Sequence, residues 1–305
     1  MYYFIVNPFS SSGKGLKIWQ KVESQLRREN VEYRVAFTNH HGHASELAMT
    51  ISSRFAPCTI VAVGGDGTAN EVINGLTNYS MIQFGYIPSG SGNDLARGLG
   101  LSAHPEPALH AILHPMAIKP ISIGSMTTSE ESRRFIVSCG VGFDAAICHE
   151  AMSSPLKKIL NRFGLGKLTY LGIALKQLFL LKPSPVTMIL DDRRQFEFDG
   201  IFFAAAMNLR YEGGGFMFCP DADPTDGYLD ICLVEKMPKL RILNCLPTAY
   251  SGQHVNYTGV HIFRCRKAMF RSLCPQALHT DGENAGTSKL ITIELLPEQL
   301  PVIVA

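Results

Sequence analysis

The sequence carries almost no net charge and has no closely paired cysteines. Its 28 Lys and Arg and 26 Asp and Glu leave a formal charge of +2, which gives no reason to expect a nucleic-acid partner. Eight cysteines are present, but no two of them form a Cys-x-x-Cys pair, and most lie in apolar, strand-like runs. We therefore expect buried free thiols in a reducing cytoplasm, not disulfides.

Long hydrophobic runs are also missing. Only five apolar residues follow Met1 before Asn7-Pro8, which predicts a first strand and not a signal peptide. The most apolar stretch, residues 168–181, contains Lys176 and falls short of the ~20 apolar residues that a membrane span requires. We expect a helix over residues 156–181. It either packs across a β domain or forms an apolar surface that faces a membrane and admits a lipid.

The most informative stretch lies between residues 59 and 71. The apolar run 59–63 ends in Gly64-Gly65-Asp66-Gly67-Thr68, and Asn70-Glu71 then open a segment with helical spacing. This pattern predicts a buried strand, a tight turn and a helix N-terminus. Glycines let a ligand approach the backbone closely, and free amides at a helix N-terminus favour phosphate. Because an acid there would repel bare phosphate, Asp66 is predicted to face a metal ion or metal-bound water.

Two further strand exits carry small polar residues. Residues 2–6 lead into Asn7-Pro8-Phe9-Ser10-Ser11-Ser12-Gly13-Lys14-Gly15, and residues 82–87 lead into Pro88-Ser89-Gly90-Ser91-Gly92-Asn93-Asp94. The first of these loops lacks the Gly-Lys-Ser/Thr ending of a Walker A loop. Alternation of strands and helices predicts a doubly wound parallel sheet, whose ligands bind beyond the carboxyl ends of the strands. All three loops should therefore share one crevice.

After about Pro120 the pattern becomes rich in strands. Apolar, strand-like runs cover residues 121–124, 134–139, 186–190, 195–198, 201–207, 228–234, 260–264, 269–272 and 290–296. Asp191-Asp192 indicates a hairpin turn. Strands in succession without helices predict an antiparallel β-sandwich. We therefore expect one domain over residues 1–123 and a second over 124–297, with residues 298–305 returning to the first as a closing strand.

Two acidic loops lie in this second half. One places Asp221, Asp223 and Asp226 close together, and its oxygen-rich turn suits either Mg²⁺ or Ca²⁺ or a solvated loop. The other is Asp281-Gly282-Glu283, which suits either a general base or a hairpin with an Asp-Gly turn. The residues alone leave both choices open.

Several motifs, in order and spacing, resemble the diacylglycerol kinase catalytic-domain family, which also includes sphingosine and ceramide kinases. The matching residues are Asn7-Pro8 with Ser10 and Gly13, Gly64-Gly65-Asp66-Gly67-Thr68 with Asn70-Glu71, Pro88 to Asp94, Gly140-Val141-Gly142-Phe143-Asp144, Asp221 to Tyr228, and Asp281-Gly282-Glu283. The diglycine-Asp motif alone is shared with NAD kinases. Ser11 and Ser12 lengthen or replace the family's Ser-Gly pair, and Ser91 stands where Thr is common.

The resemblance implies a nucleotide-binding α/β domain followed by a β-sandwich domain that takes a lipid. It implies that Asp66 and Asp94 organise a catalytic Mg²⁺ through water, and that Glu283, favoured slightly over Asp281, is the general base. A structural Mg²⁺ would lie on Asp226, with backbone oxygens of Asp223 and Tyr228. The implied ATP contacts are Asn7, Pro8, Phe9, Ser10, Ser11, Thr38, Gly65, Asp66, Gly67, Thr68, Ala69, Asn70, Glu71 and Ser91.

The resemblance also implies partners and leaves alternatives open. It implies a lipid substrate with a free hydroxyl, transient contact with a membrane surface, and a place in the cytoplasm at the inner membrane face. Edge strands leave room for a homodimer. Two rival functions remain: an NAD kinase, which the Asn7-Pro8 loop and the apolar stretch 168–181 disfavour, and a catalytically silent lipid- or nucleotide-binding regulator.

Overall fold

The computed structural model describes residues 1–90, 92–153 and 166–304. In its first part strands alternate with helices. These elements are β1 (Tyr2–Val6), α1 (Ser10–Arg28), β2 (Tyr33–Phe37), α2 (His43–Phe55), β3 (Cys58–Gly64), α3 (Asp66–Gly75), β4 (Ile82–Pro88), α4 (Asp94–Leu99) and α5 (Pro105–Leu113). A 3₁₀ turn, Tyr79–Met81, precedes β4.

The second part consists mainly of strands. Its elements are β5 (Ala117–Thr127), β6 (Ser132–Phe135), β7 (Ser138–Gly142), α6 (Phe143–Ser153), α7 (Gly166–Leu180), β8 (Ser184–Leu190), β9 (Arg194–Met207), β10 (Leu229–Glu235), α8 (Lys239–Cys245), β11 (Val260–Cys265), β12 (Lys267–Thr280) and β13 (Glu283–Val304). Two 3₁₀ helices, Leu246–Ser251 and Gln253–Asn256, follow α8. No helix among the described residues combines the length and the apolar character that crossing a bilayer requires.

The parallel strands end level with one another. In the register of the sheet Val6 pairs with Phe37 and with Val63, and Val63 pairs with Ile87. The loops that follow β1, β2, β3 and β4 therefore leave the sheet along one rim. Both faces of this sheet are buried, as expected for parallel strands covered by helices: Ile60 packs in one apolar core and Val61 in another.

The last strand connects the two parts of the chain. Near its start β13 pairs antiparallel with β12, where Ile291 lies opposite Phe270. Near its end it pairs antiparallel with β5 and parallel with β4, where Val302 lies beside Phe84. The remaining strands extend the sheet through β12, β7, β9, β10 and β11. The domain boundaries drawn from the sequence stay a prediction.

Some predicted elements have different bounds. The run 134–139 is divided between β6 and β7, whereas 195–198 and 201–207 belong to the one strand β9. The helices α5 and α6 were not predicted, and α1 begins at Ser10, inside the predicted loop. Of the helix predicted over 156–181, residues 156–165 lie outside the described residues and Gly166–Leu180 is helical. The Asp191-Asp192 turn is confirmed, since both residues have positive φ.

Candidate active site

The loops after β1 and β4 are joined by their hydroxyl groups. Ser10 Oγ lies 2.6 Å from Ser89 Oγ, and Ser11 Oγ donates to the carbonyl of Ser89 at 2.5 Å. The loop after β1 also reaches the turn after β3, because Asn7 Nδ2 donates to Thr68 Oγ1 at 3.1 Å. The three predicted loops therefore meet at one rim of the sheet.

Glycine allows two of these loops to touch through their backbones. A Cβ added at Gly90 would lie 3.0 Å from the Cα of Gly65, which is closer than real Cβ contacts allow without movement. Gly65 is the N-cap of α3, and the first helical hydrogen bond runs from Thr68 N to Gly65 O at 3.0 Å. The amides of Asp66 and Gly67 precede that bond, so they lie where a helix N-terminus attracts anions.

A cavity of about 300 Å³ opens beside this rim. Five of the residues predicted to contact nucleotide line it, namely Asn7, Phe9, Thr38, Thr68 and Glu71, together with Asn39, His40, His41 and Ala44. His41 Nδ1 lies 3.2 Å from Glu71 Oε1 across its wall. The histidines were not predicted as site residues, because a His-rich loop has no phosphate-binding pattern of its own.

Other predicted nucleotide contacts lie behind the cavity wall. Ala69 is fully buried in the core, and the side-chain amide of Asn70 donates to Asp281 Oδ2 at 2.8 Å and to the carbonyl of Arg134 at 3.1 Å. Pro8 accepts a backbone hydrogen bond from Leu16 at 3.2 Å. Ser91 lies outside the described residues. For Ala69 and Asn70 the geometry indicates a supporting role and not direct contact with a ligand.

Asp66 is held at the start of α3 by the chain that follows β4. Its Oδ2 accepts from the amide of Asp94 at 3.1 Å, and its Oδ1 accepts from the amide of Leu95 at 3.3 Å. The hydroxyl of Tyr86 lies 3.4 Å from Oδ1. Burial raises the pKa of Asp66, and so does the charge of Asp281, while these hydrogen bonds lower it. The net shift is upward, which a nearby divalent cation would reverse.

Asp94 joins α4 to a glycine-rich loop of the second part of the chain. Its Oδ1 accepts from Arg97 Nη1 at 2.5 Å, and its Oδ2 accepts from the amide of Gly214 at 2.8 Å. Asp94 is 8% exposed, and burial raises its pKa. Asp66 and Asp94 are thus brought together as predicted, but both carboxylate oxygens of Asp94 already have partners inside the protein.

The two acids of the Asp281-Gly282-Glu283 turn have different surroundings. Asp281 accepts four hydrogen bonds, from the amides of Ile136, Val137 and Ser138 and the side chain of Asn70, at distances of 2.8–3.1 Å. Glu283 lies over the start of α3, where a Cβ added at Gly67 would collide with its Oε1. Asp281 is therefore saturated as an acceptor, whereas Glu283 borders the loop that is predicted to hold phosphate.

A buried histidine supports this turn. Gly282 N donates to His279 Nδ1 at 3.2 Å, which leaves that nitrogen unprotonated. Nε2 therefore carries the proton and faces two carboxylates, Glu212 Oε1 at 2.7 Å and Asp144 Oδ2 at 3.3 Å. The three ligand atoms lie within 4.8 Å of one another, as in a metal site, but the protonated nitrogen favours a hydrogen-bonded cluster. Asp144 belonged to a motif noted in the sequence and His279 opens the loop that contains Asp281 and Glu283, whereas Glu212 was not predicted.

The acidic loop predicted to hold a structural metal is balanced by arginine. Asp226 Oδ2 accepts from Arg264 Nη2, and the guanidinium of Arg264 lies 4.6 Å from the ring centre of Tyr228. Asp226 Oδ1 accepts from the amide of Tyr228 at 2.9 Å, and Asp223 Oδ1 accepts from Thr225 N and Oγ1 at 2.9 and 2.7 Å. The carboxylate of Asp226 therefore has a cationic partner within the protein, and the metal site at this loop stays a prediction.

Comparisons with known proteins cover nearly the whole chain. A family model described as "Diacylglycerol kinase catalytic domain" matches residues 1–126, and one described as "YegS C-terminal NAD kinase beta sandwich-like domain" matches residues 137–304. The Bacillus subtilis (strain 168) protein named "Putative lipid kinase YtlR" is 30% identical over 293 residues, with 94% of each chain covered. A diacylglycerol kinase of Mycobacterium tuberculosis (strain ATCC 25618 / H37Rv) is 26% identical, with 92% of this chain and 88% of the relative covered.

Solved structures share the fold. A diacylglycerol kinase from Bacillus anthracis str. Sterne matches with a TM-score of 0.72 at 20% identity, covering 100% of this chain and 96% of that one. An NAD kinase from Archaeoglobus fulgidus in complex with ATP matches with a TM-score of 0.56 at 16% identity, covering 99% and 93%. The predicted fold class, an N-terminal parallel-sheet α/β domain with a C-terminal β-rich domain, is confirmed. With family models matching both parts of the chain, it belongs to the diacylglycerol kinase catalytic-domain family.

Proposed function

We propose that this protein transfers the γ-phosphoryl group of ATP to the hydroxyl of a lipid, with diacylglycerol as the first acceptor to test. One observation carries the proposal. Glu283, an acid without a hydrogen bond among the described side chains, lies over Gly67 at the N-terminus of α3, beside Asp66 and the loops of β1 and β4. Phosphoryl transfer depends on this kind of juxtaposition, in which anion-binding amides, a metal-binding carboxylate and a proton acceptor meet.

The nucleotide would occupy the cavity beside the rim. Its base and ribose would lie among Thr38, His40 and Glu71, and its phosphates would extend toward the amides of Gly65 to Gly67. Lys14, at the start of α1, would add a positive charge near the phosphates. The NAD kinase from Archaeoglobus fulgidus, which shares this fold, was solved in complex with ATP, and that complex supports nucleotide binding here.

Asp66 suits a Mg²⁺ ion. Burial and the charge of Asp281 raise its pKa, and within the described residues its carboxylate forms no ion pair with a lysine or arginine. Carboxylate oxygens are the ligands that Mg²⁺ takes in kinase sites, often with water between them. When bound, the ion would offset the negative charge that develops on the transferring phosphoryl group. Asp94 would position Asp66 through its backbone amide, 3.1 Å from Asp66 Oδ2.

Glu283 would take the proton of the lipid hydroxyl. Asp281 is unsuited to this step, because its four hydrogen bonds occupy both carboxylate oxygens. Those bonds instead fix the turn, and Gly282 N, bound to His279, fixes it from the other side. The relatives that are named diacylglycerol kinase support a lipid acceptor. We propose that the protein works in the cytoplasm, in transient contact with the inner membrane face, and that a homodimer would form through edge strands.

Transfer of label from γ-labelled ATP tests the proposal. The acceptors are diacylglycerol, monoacylglycerol, a sphingoid base, phosphatidylglycerol and a polyprenol in mixed micelles, with NAD in a parallel reaction. We expect Mg²⁺-dependent label on a lipid and its loss in Asp66→Asn. Label on NAD alone would indicate an NAD kinase. ATP binding without transfer to any acceptor would indicate a silent regulator, and either result would overturn the proposal.

A further inference from the structure

An apolar surface lies on the second part of the chain, away from the nucleotide rim. The helix α7 is apolar on both faces: Ile173 and Leu178 are buried against the core, whereas Leu175 and Phe179, one turn apart, point outward. Phe179 is 61% exposed and Leu180 is 60% exposed. A soluble helix ordinarily presents polar residues on its outer face, so an apolar outer face indicates a second apolar environment.

The helix α8 extends this surface. Leu240 is 76% exposed, and its neighbour Lys239 donates to the carbonyl of Phe179 at 2.8 Å, with its ammonium 5.0 Å from the ring centre of Phe179. Phe179, Leu180 and Leu240, which we call the apolar patch, therefore belong to one continuous area. Behind it Ile242 and Leu246 line a small apolar cavity with Phe203 and Phe218.

Basic residues surround the apolar patch. Four exposed cations, Lys182, Lys236, Lys239 and Arg241, form what we call the basic rim. Two of these cations lie near Gly200. A Cβ added at Gly200 would lie 3.4 Å from the Cβ of Lys236 and 3.1 Å from the Cβ of Pro183, the residue that follows Lys182. No ion pair within residues 1–90, 92–153 and 166–304 involves any of these four cations.

Acids also lie near the basic rim, but they are fewer than its cations. Glu150 accepts from Lys176 Nζ and Gln177 Nε2, both at 2.6 Å, and Glu235 Oε1 lies 2.9 Å from His261 Nε2. Asp199, beside Gly200, is exposed and forms no ion pair within the described residues, and His261 balances Glu235 only when it is protonated. The four cations still outnumber these two acids, which leaves an excess of positive charge around the exposed Phe and Leu side chains. This combination suits the interface of a bilayer that contains anionic lipids, where apolar tips enter the acyl region and cations meet phosphate.

We propose that the apolar patch and the basic rim dock this protein on an anionic phospholipid bilayer. The inference rests on the proposed function, because a lipid acceptor is presented by a membrane. It adds which face meets the bilayer: the ends of α7 and α8 approach it, and the nucleotide rim stays in water. The apolar cavity behind α8 then lies between the bilayer and the interior of the protein.

Vesicle sedimentation tests this surface. The full chain is mixed with vesicles of phosphatidylcholine alone, or of phosphatidylcholine with about one third phosphatidylglycerol, at low and at high salt. We expect binding to the anionic vesicles that weakens with salt. The triple variant Phe179→Ser, Leu180→Ser, Leu240→Ser and the charge variant Lys182→Glu, Arg241→Glu should each bind at least about tenfold more weakly. The first loses the apolar side chains that would enter the acyl region, and the second loses two cations, which together contribute more than that factor.

Matched controls lie on the first part of the chain. Met49 and Met116 are exposed apolar residues there, 51% and 88% exposed, and Arg28 and Arg54 are exposed cations. The variants Met49→Ser, Met116→Ser and Arg28→Glu, Arg54→Glu should bind vesicles as the unchanged protein does. Equal binding by the patch variants, or equal loss in the controls, would overturn the proposal. The proposal would also be overturned if the patch variants changed only the oligomeric state, measured by light scattering. That result would identify the apolar patch as a protein–protein interface.

Phosphoryl transfer to a short-chain, water-dispersed acceptor separates the two proposals. Patch variants that keep this activity and lose vesicle binding support the docking surface. If vesicles bind but no acceptor is phosphorylated, the proposed function fails and the docking surface stands. If both activity and vesicle binding are unchanged in the patch variants, the docking proposal fails and the proposed function stands.

Discussion

Glu283 and Asp281 belong to one turn but have different surroundings. We therefore expect a change at Glu283 to affect catalysis and a change at Asp281 to affect stability. Glu283 borders Gly67 at the start of α3, so Glu283→Gln should lower kcat by about 10²- to 10⁴-fold, the usual contribution of a general base. Its denaturation midpoint should stay within error of the unchanged protein. The measurement is the transfer assay beside urea unfolding. A variant with normal kcat would remove Glu283 from the chemical step.

Asp281 should behave in the opposite way. In the folded protein the carboxylate of Asp281 accepts hydrogen bonds from the backbone amides of residues 136–138 and from the side chain of Asn70. An asparagine at this position would direct its own NH₂ group, a donor, at some of these donors. Asp281→Asn should therefore lower the free energy of unfolding by about 1–3 kcal/mol, the cost of unsatisfied buried groups. Urea unfolding measures it. An Asp281→Asn protein of full stability that has lost kcat would assign the base to Asp281 instead.

Asp230 gives the protein an unusual pH dependence. Burial raises the pKa of its carboxyl to about 6, against the attraction of Arg264 opposite it, and Asp226 and Asp221 raise it further. Between about pH 4 and pH 6 the carboxyl of Asp230 is therefore protonated in the folded protein but ionised in the unfolded chain. The contribution of this carboxyl to the free energy of unfolding therefore falls as pH rises from about 4 to 6 and stays low above that range.

Asp230→Asn removes this titration. The gain in stability of the variant over the unchanged protein should be larger at pH 7.5 than at pH 5 by about 1 kcal/mol, as the linkage relation gives for this pKa. Urea unfolding of both proteins at the two pH values measures the difference. A gain that is the same at both values would show that Asp230 ionises normally in the folded protein.

The chemistry of single residues was only partly predictable from the sequence. Gly65, Asp66 and Thr68 could be assigned to an anion-binding turn because their neighbours in the chain define it. The saturation of Asp281 could not, because its backbone donors come from residues 136–138, far away in the chain, and only the pairing of β12 with β7 brings them together. The cluster of His279 with Glu212 likewise joins residues that are far apart in the chain.

Helix α4 and the glycine loop 213–215 form a contact between the two parts of the chain that depends on Asp94. The three glycines have positive φ, from 63° to 119°, so the loop has little intrinsic stiffness. Its amide at Gly214 donates to Asp94 Oδ2. Asp94→Ala should therefore raise the amide hydrogen exchange of residues 213–216 by about tenfold to a hundredfold, the equivalent of one lost buried hydrogen bond to a charged group.

Arg97→Ala is the matched control for this contact. It removes the ion pair with Asp94 Oδ1 but leaves the bond from Gly214 intact. Exchange in residues 213–216 should then change much less than in Asp94→Ala. Equal exchange in the two variants would mean that the guanidinium of Arg97, which packs near Gly215, holds the loop instead.

Element bounds were predicted well where local pattern decides them. In the helix α2, His43–Phe55, the apolar residues Ala44, Ala48 and Ile51 recur at helical spacing and are buried, so the sequence pattern alone indicates this element. The predicted bounds were wrong where pairing with other strands decides the length of an element. The strand β13 extends far beyond the predicted run 290–296, because it pairs in turn with β12, β5 and β4.

For the whole molecule, the shared strand β13 predicts cooperative unfolding. It contributes Ile291 and Ile293 to the core of the second part and Leu300 and Val302 to the core of the first. Neither core can lose this strand without exposing apolar surface in the other. Because the sequence has one tryptophan, Trp19, packed on Phe4 in the first part, fluorescence reports on that part alone.

Ile231→Ala tests this coupling from the far side of the sheet. Ile231 is fully buried in β10, and its truncation should lower the free energy of unfolding by about 2–5 kcal/mol. With coupled unfolding, the urea midpoint of Trp19 fluorescence should fall together with that of far-UV circular dichroism, although Trp19 lies in a separate core. If the fluorescence midpoint stayed unchanged while the dichroism developed an earlier phase, the two parts would unfold independently. The strand β13 would then join two domains without making their stabilities depend on each other.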